Sequence, residues 1–339
     1  MKITVVGCGN AFSHHNYNQS FLLEEMDPVT RKVERLLIDC GSRIPNALWE
    51  QEIDVKTIGY FYVSHAHGDH CGGIEEVAFS LYDWVNHPRH YSERRDPPVL
   101  IANKVLMQEL WNNSFKGGLD SMEGFDSTLE TFFKTWAIEP NQPFLWCGWR
   151  FQLVQQVHIM TGSVIKNTFG LFVSHATEEG RKKVFVTTDC QYFQPKQVRV
   201  FYEQADIVLQ DAEFAGVDTV ERQYKFGSGV HANVAELFGW PSANAMVMSP
   251  EVKRKLWLTH YQDFVCRYVP KREARFIDSI RAAVAGCTDA IVADNVRDLC
   301  DAYLRFESKD GFGNPCDWDA LAKAEGLAGI LKVGQEFEI

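Results

Sequence analysis

Residues 63–73 read Val63-Ser64-His65-Ala66-His67-Gly68-Asp69-His70-Cys71-Gly72-Gly73, directly after the apolar, aromatic run Tyr60-Phe61-Tyr62. Four side chains able to ligate a metal fall within positions 65–70. At an extended strand end, residues two apart point the same way, so His65 and His67 can hold one cation through imidazole nitrogens while Asp69 and His70 face a second position. Gly68, Gly72 and Gly73 suit a tight loop that closes onto the N-terminus of a following helix. The alternative is a polar loop whose histidines only cap and solvate, and it does not account for so many ligand types at this spacing. One cation is expected from these residues, and two are compatible with them.

Several other apolar runs stand in the same relation to a candidate ligand. Ile3 to Gly9 is a short apolar strand ending in glycines, followed by Phe21-Leu22-Leu23 and by Leu36-Leu37-Ile38-Asp39-Cys40-Gly41. Phe151-Gln152-Leu153-Val154 leads to His158, Val184 to Thr188 leads to Asp189, and Leu256 to Thr259 leads to His260. A lone histidine after a strand is more often a hydrogen-bonded structural residue. His14, His15, His87, His90 and His175 lack the support of this pattern. His14 and His15 lie in the polar loop Ser13 to Ser20, where a substrate contact and simple solvation both stay open.

The H-x-H-x-D-H pattern followed by Gly-Gly resembles the signature of the metallo-β-lactamase-fold hydrolases, and the order of the strands around it extends the resemblance. It implies an α/β fold, the four-layer αββα sandwich of that superfamily. It also implies His65, His67 and His158 on one metal, Asp69, His70 and His260 on the other, and Asp189 bridging. Zinc suits this mix of imidazole and carboxylate, and manganese or iron would tolerate it.

Two further segments narrow the branch. Asp206-Ile207-Val208-Leu209-Gln210-Asp211-Ala212-Glu213 resembles the strand and H-E-A-T element of the transfer-RNA 3′-processing endonucleases, with Gln210 in place of its His and Asp211 in place of its Glu. Gly229-Val230-His231-Ala232-Asn233 resembles the G-H-S-T element of that branch and opens the helix continued by Val234 to Leu237. The resemblance implies that Asp211 orients His231 and that His231 protonates the leaving oxygen. Phosphodiester cleavage at a two-metal site needs an activated water, a clamp on the phosphoryl oxygens and a proton for the departing alkoxide; Asp69, Asp211 and His231 are the catalytic candidates. The same branch contains cyclic-nucleotide phosphodiesterases, the anti-Pycsar proteins among them, whose signature precedes an acidic helix start like Ile74-Glu75-Glu76. Those two glutamates also suit a helix dipole.

The endonucleases grip transfer RNA with a Gly-rich basic arm, and the stretch from Asp189 through Gln194-Pro195-Lys196 to Asp206 shows none. The net charge of −11 likewise opposes a long nucleic-acid footprint. Two divalent metals would still attract a small phosphorylated ligand. The expected substrate is therefore a small phosphodiester, a nucleoside 3′,5′-cyclic phosphate hydrolysed to the linear monophosphate. The rivals are an RNA-processing nuclease of the transfer-RNA 3′-end type and a lactonase or thioester hydrolase. A binding module without activity would call for a missing ligand.

The 339 residues, 45% hydrophobic, suffice for a substantial core. A single domain over residues 1–339 is expected. Pro97 to Ala102 reads as a strand, with Asn103 capping a helix through Ser114. An irregular aromatic insertion follows at about 115–143, either a lid, a dimer contact or a flap over the core. Its rings would suit stacking on a base. A helical C-terminal extension spans about 270–339, with helices Ala274 to Ala285 and Asp289 to Phe306 and a closing strand within Gly334 to Ile339. Ile74, Val77, Ala78, Leu81 and Trp84 or Val85 recur at helical spacing after the metal loop. The nine cysteines include no C-x-x-C pair, which suits reduced, buried thiols of an intracellular protein. Cys71 and Cys190 adjoin proposed ligands, with packing favoured over ligation. No run of about eighteen apolar residues and no signal-peptide pattern is present, so a cytoplasmic protein without a membrane partner is expected, and the resemblance implies a homodimer.

Overall fold

The computed structural model describes residues 1–86, 96–175, 180–192, 198–244, 247–288 and 290–339. The apolar strings near the N-terminus form an antiparallel meander of β1 (Lys2–Gly7), β2 (Ser20–Met26) and β3 (Val33–Ile38). From β3 the sheet continues in parallel through β4 (Tyr60–Tyr62), β5 (Val99–Asn103) and β8 (Lys134–Ile138). Parallel strands are covered on both faces, and Phe61, Tyr62, Leu100 and Ile101 are accordingly buried. At the far edge β18 (Glu336–Glu338) pairs with β1 to complete seven strands, so the last residues return to the first sheet as expected.

The second seven-stranded sheet runs β17 (Gly329–Ile330), β16 (Leu256–Thr259), β13 (Ile207–Asp211), β12 (Val184–Val186), β11 (Val164–His175), β10 (Trp149–Thr161) and β9 (Phe144–Trp146). Two small hairpins lie outside the sheets: β6 (Ser121–Met122) with β7 (Phe125–Asp126), and β14 (Val217–Asp218) with β15 (Gln223–Tyr224). Both large sheets contribute to one hydrophobic core. Helices Ile44–Glu50 and Lys104–Glu109 pack on the first sheet and Trp318–Ala324 on the second, giving the expected αββα layering. The C-terminal ends of the parallel strands β3, β4, β12, β13 and β16 meet at one rim. Register fixes the details there, because pairing Asp211 with Thr259 sets Asp211 beside His260.

Two expectations are refined. Residues 115–143 are not irregular throughout: Lys134–Ile138 is a paired strand of the first sheet, and Phe132 and Phe133 are core residues, the latter packed edge-on against Phe61. These rings cover the core and leave Phe125 as the exposed aromatic of the segment. Residues 270–339 carry, besides their helices and the expected strand β18, the short strand β17, and the two strands complete one edge of each sheet. Between them and β16, helices Lys271–Ala285 and Ala290–Leu304 pack against one another. Asp310 anchors the following loop by accepting five bonds of 2.9 Å, from Thr219 N and Oγ1, Phe312 N, and Asn314 N and Nδ2.

The helix after the metal loop spans Ile74–Asn86, with Ile74, Val77, Ala78 and Leu81 buried as their spacing predicts. The side chains of Trp84 and Val85 lie outside the described residues, as do His87, His90, Gln194, Pro195, Lys196 and the expected helix start at Asp289. Asn103 caps the helix Lys104–Glu109 by accepting from Val105 N, and a wider turn carries the chain on through Phe115.

Candidate active site

The loop leaving β4 turns at His67 into the short helix Gly68–Cys71. It passes so close to Gly41 that a β-carbon there would lie 1.9 Å from the Asp69 carbonyl oxygen. Only glycine fits, and the contact is locked by Cys40 N to His70 O at 2.8 Å and Ser42 N to Gly68 O at 3.1 Å. Three other positions on the rim hold left-handed backbone without being glycine: Asp39 (φ 59°), Thr188 (φ 54°) and His260 (φ 64°). Such conformations cost free energy and persist where surrounding contacts over-determine them.

Two groups of ligand atoms hold the expected ligands, and a third, overlapping one joins Asp189, Asp211, His231 and His260. His65 Nε2 lies 3.0 Å from His67 Nδ1, and His158 Nε2 lies 3.2 Å from the same atom. In the second group His70 Nε2 is 3.0 Å from Asp189 Oδ1 and 3.4 Å from Asp69 Oδ2, while His260 Nε2 is 3.3 Å from each of those oxygens. Tetrahedral zinc with bonds near 2.05 Å spaces its ligands by about 3.3 Å, so both groups have the size of a cation's first coordination sphere. Asp189 turns Oδ1 to the second group and Oδ2 to the first, 3.7 Å from His65 Nε2 and 3.6 Å from His158 Nε2.

The surroundings of each ring favour the same occupant. His70 Nδ1 donates to Asp39 Oδ2 at 2.7 Å, and His158 Nδ1 donates to the Val230 carbonyl at 2.9 Å. His260 Nδ1 lies 3.2 Å from Asp211 Oδ1. With one nitrogen so engaged, the other ring nitrogen is left as a lone pair facing the cluster. His70 Nε2 and Asp189 Oδ1, 3.0 Å apart, are buried and neither makes a well-aligned hydrogen bond, which is costly unless a cation completes them. Among the described residues no Lys or Arg pairs with Asp39, Asp69, Asp189 or Asp211, so histidines alone face four buried or nearly buried carboxylates.

Burial, assisted by neighbouring imidazoles, keeps His65 well below the ordinary histidine range and His67 at about 4, leaving both neutral and able to ligate. His260 goes the other way, to about 10: burial opposes its charge, but Asp189, Asp211 and Asp69 outweigh it. His231 is raised for a similar reason, with Asp211 and Asp189 overcoming its burial. Its Nδ1 is 2.9 Å from Asp211 Oδ2, its ring centroid 4.6 Å from that of His260, and its side chain remains 17% exposed.

The family described as Anti-Pycsar protein Apyc1 matches residues 1–282. The chain belongs to that family. An Anti-Pycsar protein Apyc1 from Paenibacillus harenae is 29% identical over 273 residues, covering 79% of this chain and 92% of that protein. Among solved structures, the metallo-β-lactamase fold protein YhfI from Bacillus subtilis superposes with a TM-score of 0.56 at 17% identity, covering 100% of this chain and 99% of that one. Human tRNase Z, short form, gives 0.51 at 17% identity, over 78% of this chain and 93% of its own. The metallo-β-lactamase fold is therefore established, and its histidine and aspartate cluster has the donor set of a site for divalent cations. Every residue of the two ligand groups, with Asp211 and His231, falls within the stretch matched by the Apyc1 family.

All seven residues expected to ligate, and both Asp211 and His231, come together at this rim. His158, however, is not at a strand end. It sits inside β10, at a bulge where the register with β11 shifts between Val157 and Ile159, and such an irregularity re-aims one side chain. Glu75 and Glu76 are exposed on the first helical turn and belong to neither ligand group. Cys71 and Cys190 are buried and belong to no ligand group; burial pushes the Cys71 thiol to about 11 and raises that of Cys190. His14 and His15 are exposed on a loop whose backbone N–H groups donate to Asp263 at 2.7 and 3.2 Å. Gln210, in the place of a histidine, accepts from Tyr202 Oη at 2.7 Å beneath the site.

Asp39 is the residue that sequence reading missed. Besides His70 it accepts from Ser64 N and Ser64 Oγ, each at 2.8 Å, and is 1% exposed. Its signal was a charged residue closing the apolar run Leu36 to Ile38. Asp39→Asn is expected to weaken metal binding about 10- to 100-fold while keeping the fold, as read by competition with a chromogenic chelator. Unchanged affinity would reduce Asp39 to a packing role.

Proposed function

We propose that the protein is a dinuclear phosphodiesterase that hydrolyses a nucleoside 3′,5′-cyclic phosphate to the linear 5′-monophosphate. His65, His67 and His158 hold one divalent cation and Asp69, His70 and His260 the other, with Asp189 facing both. The donor set suits zinc, with manganese or iron next. Bound there, such cations supply Lewis acidity toward the phosphoryl oxygens and a nucleophile from water at neutral pH.

The observation that carries this reading is the Asp211–His231 pair at 2.9 Å, set against the ligand groups and still open to solvent. Cleavage of an alkyl phosphodiester releases an alkoxide that needs a proton, whereas opening an activated lactam or lactone makes less use of such a pair. With Nδ1 bound to Asp211, His231 delivers the proton on Nε2 to the departing O3′. Water adds its oxygen to phosphorus as the P–O3′ bond breaks, and His231 regains its proton from solvent. Asp69, with Oδ2 beside His70 and His260, would orient the attacking water. Membership of the Anti-Pycsar protein Apyc1 family and the absence of a basic arm in the sequence support a small cyclic nucleotide over transfer RNA.

We read the chain as a single domain, and the resemblance implies a homodimer, which sedimentation would report directly. Among the described residues no helix is long and apolar enough to cross a membrane. The test is a hydrolysis screen of the metal-loaded protein against cyclic mononucleotides, cyclic oligonucleotides, short RNA, bis(p-nitrophenyl) phosphate and a lactone. Cyclic mononucleotides are expected to be cleaved fastest. Activity on RNA alone would favour the nuclease reading, and failure on every phosphodiester would end the proposal.

A further inference from the structure

The segment 227–233 carries two groups that the proposed chemistry needs at once. His231 presents the proton, and one residue earlier the Val230 carbonyl accepts from His158 Nδ1. Backbone bonds tie the far end of this segment to the second sheet: Ala232 N donates to Cys190 O at 2.8 Å and Glu213 N to Ala232 O at 2.8 Å. The near end has a different anchor. Glu213 Oε2 accepts from Ser228 N at 2.9 Å and from Ser228 Oγ at 3.0 Å, and Ser228 Oγ in turn accepts from Val230 N at 3.4 Å.

Glu213 is 8% exposed, and no Lys or Arg among the described residues pairs with it. A carboxylate kept there without a counter-ion depends on the Ser228 donors, and bonds to a charged acceptor are about twice as strong as neutral ones. The packing leaves no slack: a β-carbon on Gly227 would lie 2.5 Å from Tyr224 Oη and 3.1 Å from Glu213 Oε2. Gly229, between Ser228 and the two functional residues, takes φ 73° and completes the turn.

We propose that Glu213 is a positioning residue, whose carboxylate holds Ser228 and thereby fixes the Gly229–His231 turn at the height from which His231 reaches the leaving oxygen. This rests on the reading of His231 as proton donor. Glu213 itself touches neither substrate nor ligand group.

A leaving-group comparison tests it. Glu213→Ala should lower kcat for a cyclic mononucleotide roughly 10- to 100-fold, with KM within about threefold and metal content unchanged. Turnover of thymidine 5′-(p-nitrophenyl) phosphate, whose phenolate departs without a proton, should fall less than about threefold. Glu213→Gln, which keeps an acceptor oxygen for Ser228, should recover most of the loss, and Glu213→Ala should add little in a His231→Ala background. Equal loss on both substrates, or loss of metal, would overturn the inference and leave Glu213 a structural residue. Should the unmodified protein cleave RNA but no cyclic nucleotide, the proposed substrate fails while the same comparison, run with RNA, still decides the role of Glu213. Inactivity on every alkyl phosphodiester would overturn both.

Discussion

Asp189→Ala is expected to lose most bound metal and at least about a thousandfold in phosphodiester turnover. The carboxylate is 1% exposed and has one oxygen toward each ligand group. Removing it takes a ligand from both positions together and leaves His65, His70, His158 and His260 without the anion they share. Several kcal/mol of lost charge stabilisation correspond to about three powers of ten in rate. Elemental analysis of the dialysed variant reads the metal, and Asp189→Asn, nearly identical in shape, separates loss of charge from loss of folding. Full occupancy in either variant would remove Asp189 from ligation.

His231→Ala should behave differently. His231 shares a ligand group only with Asp189, Asp211 and His260, where its Nδ1 is bonded to Asp211, and lies outside the groups built on His67 and Asp69, so metal content should stay near that of the unmodified protein while cyclic-nucleotide turnover falls about 10²- to 10⁴-fold, the usual contribution of a positioned general acid. Asp211 keeps the bond from Cys190 N at 2.8 Å and the His260 ring 3.2 Å away, so the fold should tolerate the change. The measurement is kcat for a cyclic mononucleotide beside that for a p-nitrophenyl ester. Undiminished turnover of the cyclic substrate would exclude His231 from the chemistry.

The difference between these two variants follows from how the site is built, and so does how much of it the sequence disclosed. His65, His67, Asp69 and His70 are neighbours in the chain, and their spacing alone forces them together. His158, Asp189 and His260 became legible through the apolar strand before each and the order in which they come. Asp39 stayed hidden because its contact with His70 spans 31 residues and depends on the parallel pairing of β3 with β4. The same limit affected Asp211, read as the partner of His231 alone; the register of β13 on β16 gives it His260 as well.

Fold-level departures have a similar cause. Lys134–Ile138 has only the short apolar run Trp136-Ala137-Ile138, and its strand character comes from pairing with Val99–Asn103 at an otherwise open edge. Glycines and clustered aromatics around it made an irregular flap the natural reading. In the C-terminal part the two helices were legible from their periodicity, whereas β17, only Gly329–Ile330, is too short to announce itself. The closing β18 was readable because it alternates charged and apolar residues and ends the chain.

The most direct test of a two-metal cyclic-nucleotide phosphodiesterase is the product formed by the metal-loaded protein from a nucleoside 3′,5′-cyclic phosphate, followed by phosphorus NMR. The expected result is conversion to the 5′-monophosphate, abolished by a chelator and restored by zinc, manganese or iron. An unchanged cyclic nucleotide under conditions where the protein holds its metals would contradict it.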